Sequence, residues 1–149
     1  MRDKEAIIFM GIQASGKSSY YRQFFGDYVH VNLDTLHTRN KEKLLLQECI
    51  SNQKSFVVDN TNPTVHEREK YIKLAKENGY EVCGYYFQSV IADCMKRNGQ
   101  REGKACVPDK ALVCTYSKLE LPKLEEGFDK LYYVRIADGS FVTEEWNEE

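Results

Sequence analysis

Short apolar runs alternate with longer amphipathic segments along the chain. The apolar runs are rich in β-branched and aromatic residues, which is typical of buried strands. They predict strands at 5–10, 28–31, 55–58, 80–87 and 130–137. The segments between them predict helices at 17–25, 41–51, 64–78, 90–97 and 108–119. Strands that alternate with helices predict an α/β domain with a mainly parallel, roughly five-stranded sheet flanked by helices.

Two segments between these predicted elements are expected to be loops, one a mobile lid and the other a hairpin turn. The segment 98–107 is polar, basic and punctuated by Gly99 and Gly103, which predicts a mobile basic lid with glycine hinges. Asp138-Gly139 predicts a hairpin turn after which 140–143 returns beside the last strand. Ligands of parallel α/β sheets bind at the carboxyl ends of the strands. That rule selects the loops at 11–18, 32–39 and 59–62, and the segment after the fourth predicted strand.

The loop after the first predicted strand contains two glycines, a lysine and a serine at a diagnostic spacing. Its sequence, GIQASGKS at 11–18, matches the G-x-x-x-x-G-K-S pattern of the phosphate-binding P-loop, or Walker A motif. Between a strand and a helix, the N–H groups of such a loop face one anionic ligand. Lys17 would contact the β- and γ-phosphates of ATP, and Ser18 would bind Mg²⁺. The predicted nucleotide-binding residues of this loop are Gly11, Ala14, Ser15, Gly16, Lys17, Ser18 and Ser19.

Two aspartates follow the second and third predicted strands. Asp34 is placed to take the proton of an acceptor hydroxyl, but a helix-capping role explains its position equally well. Asp59 ends the third strand, where a carboxylate can orient Mg²⁺ or its water. A turn or cap role is the alternative for Asp59. We favour the metal role because a P-loop protein needs an acidic group near its metal ion.

Several basic residues lie close to these loops. Arg97 and Arg101 begin the predicted lid, and guanidinium groups pair well with phosphate oxygens. A solvated helix end is the simpler interpretation of these two arginines in isolation. His37 and Arg39 follow Asp34 and could contact an acceptor or be solvated at the surface. His30 lies within a predicted strand and is expected to be structural.

The composition restricts the class of protein. The length of 149 residues fits a single domain spanning 1–149, and 42% hydrophobic with 30% charged residues is ordinary for a globular protein. There is no apolar run of membrane-spanning length and no signal peptide, so we expect a cytoplasmic protein without a membrane partner. The five cysteines have no metal-type spacing. With a net charge of −2, a polyanion would have to bind a local basic patch.

Together these motifs resemble those of one family, the polynucleotide 5′-hydroxyl kinases. The family includes a bacteriophage enzyme and the kinase domain of animal polynucleotide kinase/phosphatase. The P-loop alone is shared by a vast superfamily, whereas the D-N-T-N-P stretch and the arginine segment are much more specific. The residues that carry the resemblance are 11–19, 31–36, 57–63, 97–101, 107–108 and 124–128.

The resemblance implies a P-loop kinase that transfers the γ-phosphate of ATP to a 5′-hydroxyl end of DNA or RNA with the help of Mg²⁺. It implies that Asp34 is the general base and that Lys17 and Arg101 stabilise charge on the moving phosphoryl group. It also implies that Arg97 is a second nucleotide-binding arginine and that Asp59 is the acidic metal residue. The expected acceptor contacts are His37, Arg39, Asn60 and Thr61.

The chain departs from the family pattern at two positions. Leu33 stands where the family usually has a basic residue, and His37 stands where the phage enzyme has an arginine. Many relatives add a phosphatase or ligase for nucleic acid repair, and 149 residues leave no room for one, so we expect a separate partner. Two other functions stay open: a zeta-toxin-like kinase of a small metabolite or sugar nucleotide, and a nucleotide-binding regulatory module. The co-occurrence of Asp34, Asp59 and Arg101 argues against the module, because binding alone needs no base.

Overall fold

The computed structural model describes residues 4–101 and 107–146, which form alternating strands and helices. In chain order the elements are β1 Glu5–Met10, α1 Lys17–Phe24, β2 Val29–Val31, α2 Leu33–Leu36, α3 Arg39–Ser51, β3 Phe56–Val58, α4 Val65–Glu77, β4 Glu81–Phe87, α5 Ile91–Gly99, α6 Asp109–Lys118, a 3₁₀ helix Leu124–Glu126, β5 Lys130–Ala137 and β6 Ser140–Glu145. The strand order is β2-β3-β1-β4-β5-β6, and only the β5–β6 pair within these described residues is antiparallel. The prediction of an α/β fold with a mainly parallel sheet is confirmed.

In the part of the chain that the structure describes, the sheet has six strands rather than about five. The returning segment pairs with β5 from Ser140 to Glu145 and therefore extends beyond the predicted 140–143. Aromatic side chains in and just after β6 pack against both β4 and α1. Trp146, just after β6, packs edge-on against Tyr86 with ring centroids 5.3 Å apart. Phe141 packs with the aromatic cluster around Tyr20 at 5.1 Å. These contacts hold β6 and the residue after it against the rest of the domain.

The hydrophobic core covers both faces of the sheet. On one face α3 and α4 contribute Leu46, Tyr71 and Ile72 to the largest buried cluster. On the other face α1 contributes Tyr20, whose ring lies edge-on to Phe9 with centroids 5.9 Å apart. The sheet is therefore buried on both sides, as a parallel sheet requires. Within the described ranges, none of the helices is long and apolar enough to cross a membrane.

Gly84 on β4 is packed closely against side chains of β5 and of the segment that leads from the 3₁₀ helix to β5. A Cβ atom at Gly84 would lie 2.7 Å from Leu131 Cδ1 and 2.7 Å from Phe128 Cε1. Gly84→Ala is therefore expected to lower the free energy of unfolding by about 1–3 kcal/mol through overpacking. Urea denaturation measures this change.

Gly99→Ala is the matched control for Gly84→Ala. Gly99 is the last residue of α5, and a Cβ atom there would meet no atom of residues 4–101 or 107–146 within 4 Å. Alanine is the better helix former, so this variant should be neutral or more stable by up to about 1 kcal/mol. Equal stability of the two variants would contradict the close packing at Gly84.

Candidate active site

The loop at 11–18 connects the end of β1 to the start of α1 in the conformation that its glycines allow. Gly16, with φ of 99°, is the N-cap of α1. A Cβ atom on Gly16 would lie 2.9 Å from Phe141 Cε1, so β6 packs directly against the loop. The N–H of Gly11 donates to the carbonyl of Thr61 at 3.0 Å, which joins this loop to the one after β3. The loop is thus held from both sides.

The ammonium of Lys17 lies inside this loop. Its Nζ donates to the carbonyls of Gly11 at 2.9 Å and Ile12 at 2.8 Å, and to Ser15 Oγ at 3.3 Å. Burial lowers the pKa of Lys17 to about 8, and the nearby Asp59 carboxylate opposes part of that effect. The side chain carries a positive charge at neutral pH where the sequence predicts that phosphates bind.

Ser18 and Asp59, the two residues predicted to bind Mg²⁺, are in direct contact. Ser18 Oγ donates to Asp59 Oδ2 at 2.8 Å, and His30 Nε2 donates to the same oxygen at 2.7 Å. Burial alone would raise the pKa of Asp59, but the His30 hydrogen bond, the charge of Lys17 and the Ser18 hydroxyl together lower it. A hydroxyl and an ionised carboxylate are the hard oxygen ligands that suit Mg²⁺, so these residues fit the ion that the sequence predicts.

Asp34 lies in α2, a helix of four residues directly after β2. The cap of this helix is Asn32, whose Oδ1 accepts the N–H of Thr35 at 3.2 Å. The other end of the same amide, Nδ2, donates to the carbonyl of Asp59 at 2.6 Å. Asn32 therefore performs the capping role that was an alternative for Asp34. The Asp34 side chain is exposed at the carboxyl end of the sheet.

One cleft of about 1020 Å³ brings most of the predicted site residues together. It lies at the carboxyl ends of β1, β2 and β3, as the rule for parallel sheets requires. The predicted residues that line it are Ala14, Gly16, Lys17, Ser18, Ser19, Asp34, His37, Asp59, Asn60, Thr61 and Arg101. The P-loop and the Asp34 turn therefore face the same space.

Three predicted basic residues differ in their placement. Arg97 donates from Nε to the carbonyl of Ala14 at 2.6 Å and so contacts the P-loop backbone. Arg101 lies beyond the end of α5 and lines the cleft, whereas Arg97 lies within the helix. Arg39 is not among the described residues that line the cleft, and it donates to a buried carboxylate on α3. The predicted hinge Gly103 lies outside the described residues.

Seven described residues that line the cleft were not predicted as site residues: Gln13, Arg22, His30, Asn32, Leu33, Thr35 and Val107. His30, which was expected to be structural, contacts Asp59 and stacks on Tyr21 with ring centroids 4.0 Å apart. Gln13 joins the P-loop to α6 by donating from Nε2 to Thr115 Oγ1 at 3.0 Å. Arg22 also lines the cleft. Its position one helical turn after Ser18 was a usable signal. For His30, the strand pattern assigns the side chain to one face of the sheet but does not identify the residue that it contacts.

Comparison with known proteins shows the family of the chain. Residues 7–122 match the AAA domain family. The chain belongs to this family. It is 35% identical over 138 residues to a protein of Acanthamoeba polyphaga mimivirus named as a bifunctional polynucleotide phosphatase/kinase, an alignment that covers 87% of this chain and 33% of the relative. The bifunctional polynucleotide phosphatase/kinase of Schizosaccharomyces pombe is 28% identical over 149 residues, with 97% and 36% covered.

These two relatives confirm the resemblance to polynucleotide kinases that the motifs indicate. The chain spans about a third of the length of each of them. A gluconokinase from Sinorhizobium meliloti superposes with a TM-score of 0.64 at 20% identity, covering 93% of this chain and 86% of that one. At that identity the similarity shows the fold, which is that of P-loop kinases.

Proposed function

We propose that this AAA-family chain is an ATP-dependent polynucleotide 5′-hydroxyl kinase, with a DNA or RNA end as its acceptor. The observation that carries the proposal is the exposed carboxylate of Asp34 in the same cleft as Lys17, Ser18 and Asp59. Asp34 does not cap its helix, and a module that only binds nucleotides needs no carboxylate opposite its P-loop. The two named relatives support a polynucleotide as the class of acceptor.

In this proposal each residue of the cleft has a stated task. Asp34 orients the acceptor hydroxyl and takes its proton as the oxygen attacks the γ-phosphorus in line, with ADP as the leaving group. Lys17 and Arg101 stabilise the charge on the transferred phosphoryl group. Ser18 and Asp59 hold Mg²⁺, which neutralises phosphate charge when bound. Most of the acceleration comes from positioning and electrostatics, because the mechanism forms no covalent bond to the protein.

End labelling tests the proposal directly. The protein is incubated with γ-labelled ATP, Mg²⁺ and 5′-hydroxyl oligonucleotides of DNA and of RNA. We expect label at the 5′ end of at least one of them. The same oligonucleotides with a 5′-phosphate are the control and should remain unlabelled. The absence of label on every DNA and RNA end would refute the proposed acceptor.

A kinase of a small metabolite or sugar nucleotide is the second candidate. The half-buried side chain of Leu33 favours it, because Leu33 lines the cleft next to Asp34 where polynucleotide kinases usually have a basic residue. Label that appears in a pool of small metabolites, with none on oligonucleotides, would establish this candidate instead.

Oligonucleotide binding is expected to weaken as salt is added, because cations that bind phosphates release counterions. Arg22 is an exposed cation that lines the cleft. Arg22→Gln should reduce the slope of log affinity against log salt by about 0.7, the value for one single-strand phosphate contact. Arg135→Gln, on β5 and outside the described cleft lining, is the control and should leave the slope unchanged. Fluorescence anisotropy measures both, and an affinity insensitive to salt would contradict backbone recognition.

A further inference from the structure

Glu42 is a buried carboxylate on α3, outside the lining of the cleft as described. Its side chain is 3% exposed and is surrounded by donors. Both carboxylate oxygens accept the hydroxyl of Tyr71 at 2.9 Å. Asn60 Nδ2 donates to Oε2 at 3.1 Å, and Arg39 Nη1 donates to Oε1 at 3.2 Å. Burial and the Glu42 carboxylate raise the pKa of Tyr71, so its hydroxyl keeps the proton that it donates.

The amide of Asn60 connects this carboxylate to the helix that carries Asp34. While Nδ2 donates to Glu42, Oδ1 accepts the backbone N–H of Leu33 at 3.0 Å. Leu33 is the first residue of α2, and the first N–H groups of a helix have no partner within the helix. The cap residue Asn32 bonds to a different N–H, that of Thr35. The Asn60 amide is therefore the partner of Leu33 in the described structure, one residue before Asp34.

We propose that Glu42 is a positioning residue for Asp34. An ionised carboxylate can only accept hydrogen bonds, so it fixes the Asn60 amide with nitrogen toward α3 and oxygen toward α2. In that orientation Asn60 Oδ1 accepts the Leu33 N–H, and this hydrogen bond keeps the helix that carries Asp34 beside the cleft. The inference rests on the proposed function, in which Asp34 contacts the acceptor hydroxyl. A displacement of roughly 1 Å at such a position lowers rates by about 10²-fold.

Glu42→Gln tests the hydrogen-bond chain without any substrate. Glutamine has nearly the same shape as glutamate but presents an N–H donor to Asn60. If the Asn60 amide rotates so that its oxygen accepts this donor, its Nδ2 then faces the Leu33 N–H, and the hydrogen bond to Leu33 is lost. We expect the Leu33 amide to exchange with solvent at least about tenfold faster, as NMR measures. The N–H of Asp59, which donates to Val31 at 2.8 Å, is the internal control. Unchanged exchange at Leu33 would overturn the inference.

The same variant has a kinetic signature that a general loss of stability would not give. We expect Glu42→Gln to lower kcat by about 10- to 100-fold with the KM for ATP and for the oligonucleotide unchanged. Because the effect passes through Asp34, the double variant with Asp34→Asn should be no slower than Asp34→Asn alone. Glu48→Gln, an exposed carboxylate on the same helix, should keep the wild-type rate. A further loss of rate in the double variant would overturn the inference.

Asn60→Ala gives a second route to the same test if Glu42→Gln does not fold. It removes the acceptor of the Leu33 N–H and leaves the bonds between Glu42 and Tyr71 in place. It should reproduce both the faster Leu33 exchange and the loss of kcat. A wild-type protein that labels no oligonucleotide refutes the proposed function and the positioning role together. An active wild type, with both variants at normal kcat, refutes the positioning role alone.

Discussion

Asp34→Asn is expected to lower the rate of phosphoryl transfer by about 10²–10⁴-fold, the usual contribution of a general base. Asparagine has the shape of aspartate and can still accept a hydrogen bond from the acceptor hydroxyl, but it cannot take the proton. The loss corresponds to about 3–5 kcal/mol of transition-state stabilisation. The fold should be unaffected, because Asn32 rather than Asp34 caps α2.

Single-turnover end labelling measures the rate, and a fluorescent ATP analogue measures donor binding. The affinity for ATP should stay within about twofold of the wild type, since Asp34 acts on the acceptor. Asp27→Asn is the matched control, because Asp27 is an exposed aspartate before β2 and outside the described cleft lining. A near-normal rate for Asp34→Asn would show that Asp34 is not the base. A loss of ATP binding would show that Asp34 acts on the donor.

The elements of the fold could be predicted because their signals are local. β1 is an apolar run followed by a glycine loop, and both features lie within a few residues. α4 was predicted at 64–78 and observed at Val65–Glu77, because Thr64 caps its start and Gly79, with φ of 76°, lies just beyond its end. The P-loop could be located for the same reason, since its ligand groups come from one continuous segment.

Contacts between distant parts of the chain could not be predicted in this way. A strand pattern assigns His30 to a face of the sheet, but its partner Asp59 comes from another strand end. The same limit applies to Asp34. The sequence allowed it to cap a helix, and only the structure shows that Asn32 caps α2 instead. Arg97 lies within α5 and Arg101 lies beyond it, because the helix ends at Gly99. Helix ends are among the least certain features of a sequence-based prediction.

Arg68→Met is expected to lower the free energy of unfolding by about 3–5 kcal/mol, the usual cost of breaking a buried ion pair. The Arg68 side chain is 0% exposed, and its guanidinium makes five hydrogen bonds. Nη1 donates to both oxygens of Glu126 at 3.2 and 3.0 Å, and Nε donates to the carbonyl of Asn62 at 2.9 Å. Nη2 donates to the carbonyls of Pro63, at 3.1 Å, and Glu120. Methionine would leave the buried Glu126 carboxylate without its cation and would take the arginine's hydrogen bonds from the carbonyls of Asn62 and Glu120, whereas the Pro63 carbonyl keeps the N–H of Glu120.

Thermal unfolding measures this loss, and the midpoint should fall by roughly 10 °C for a domain of this size. Arg135→Met is the matched control, because Arg135 and Glu144 form an exposed pair that should contribute less than about 1 kcal/mol. Adding Glu126→Leu to Arg68→Met should recover only part of the loss, since the carbonyls of Asn62 and Glu120 would still lack the arginine's hydrogen bonds. Full recovery would show that the ion pair alone mattered. A loss no larger than that of the control would contradict the arginine's role in joining α4 to the loop after β3.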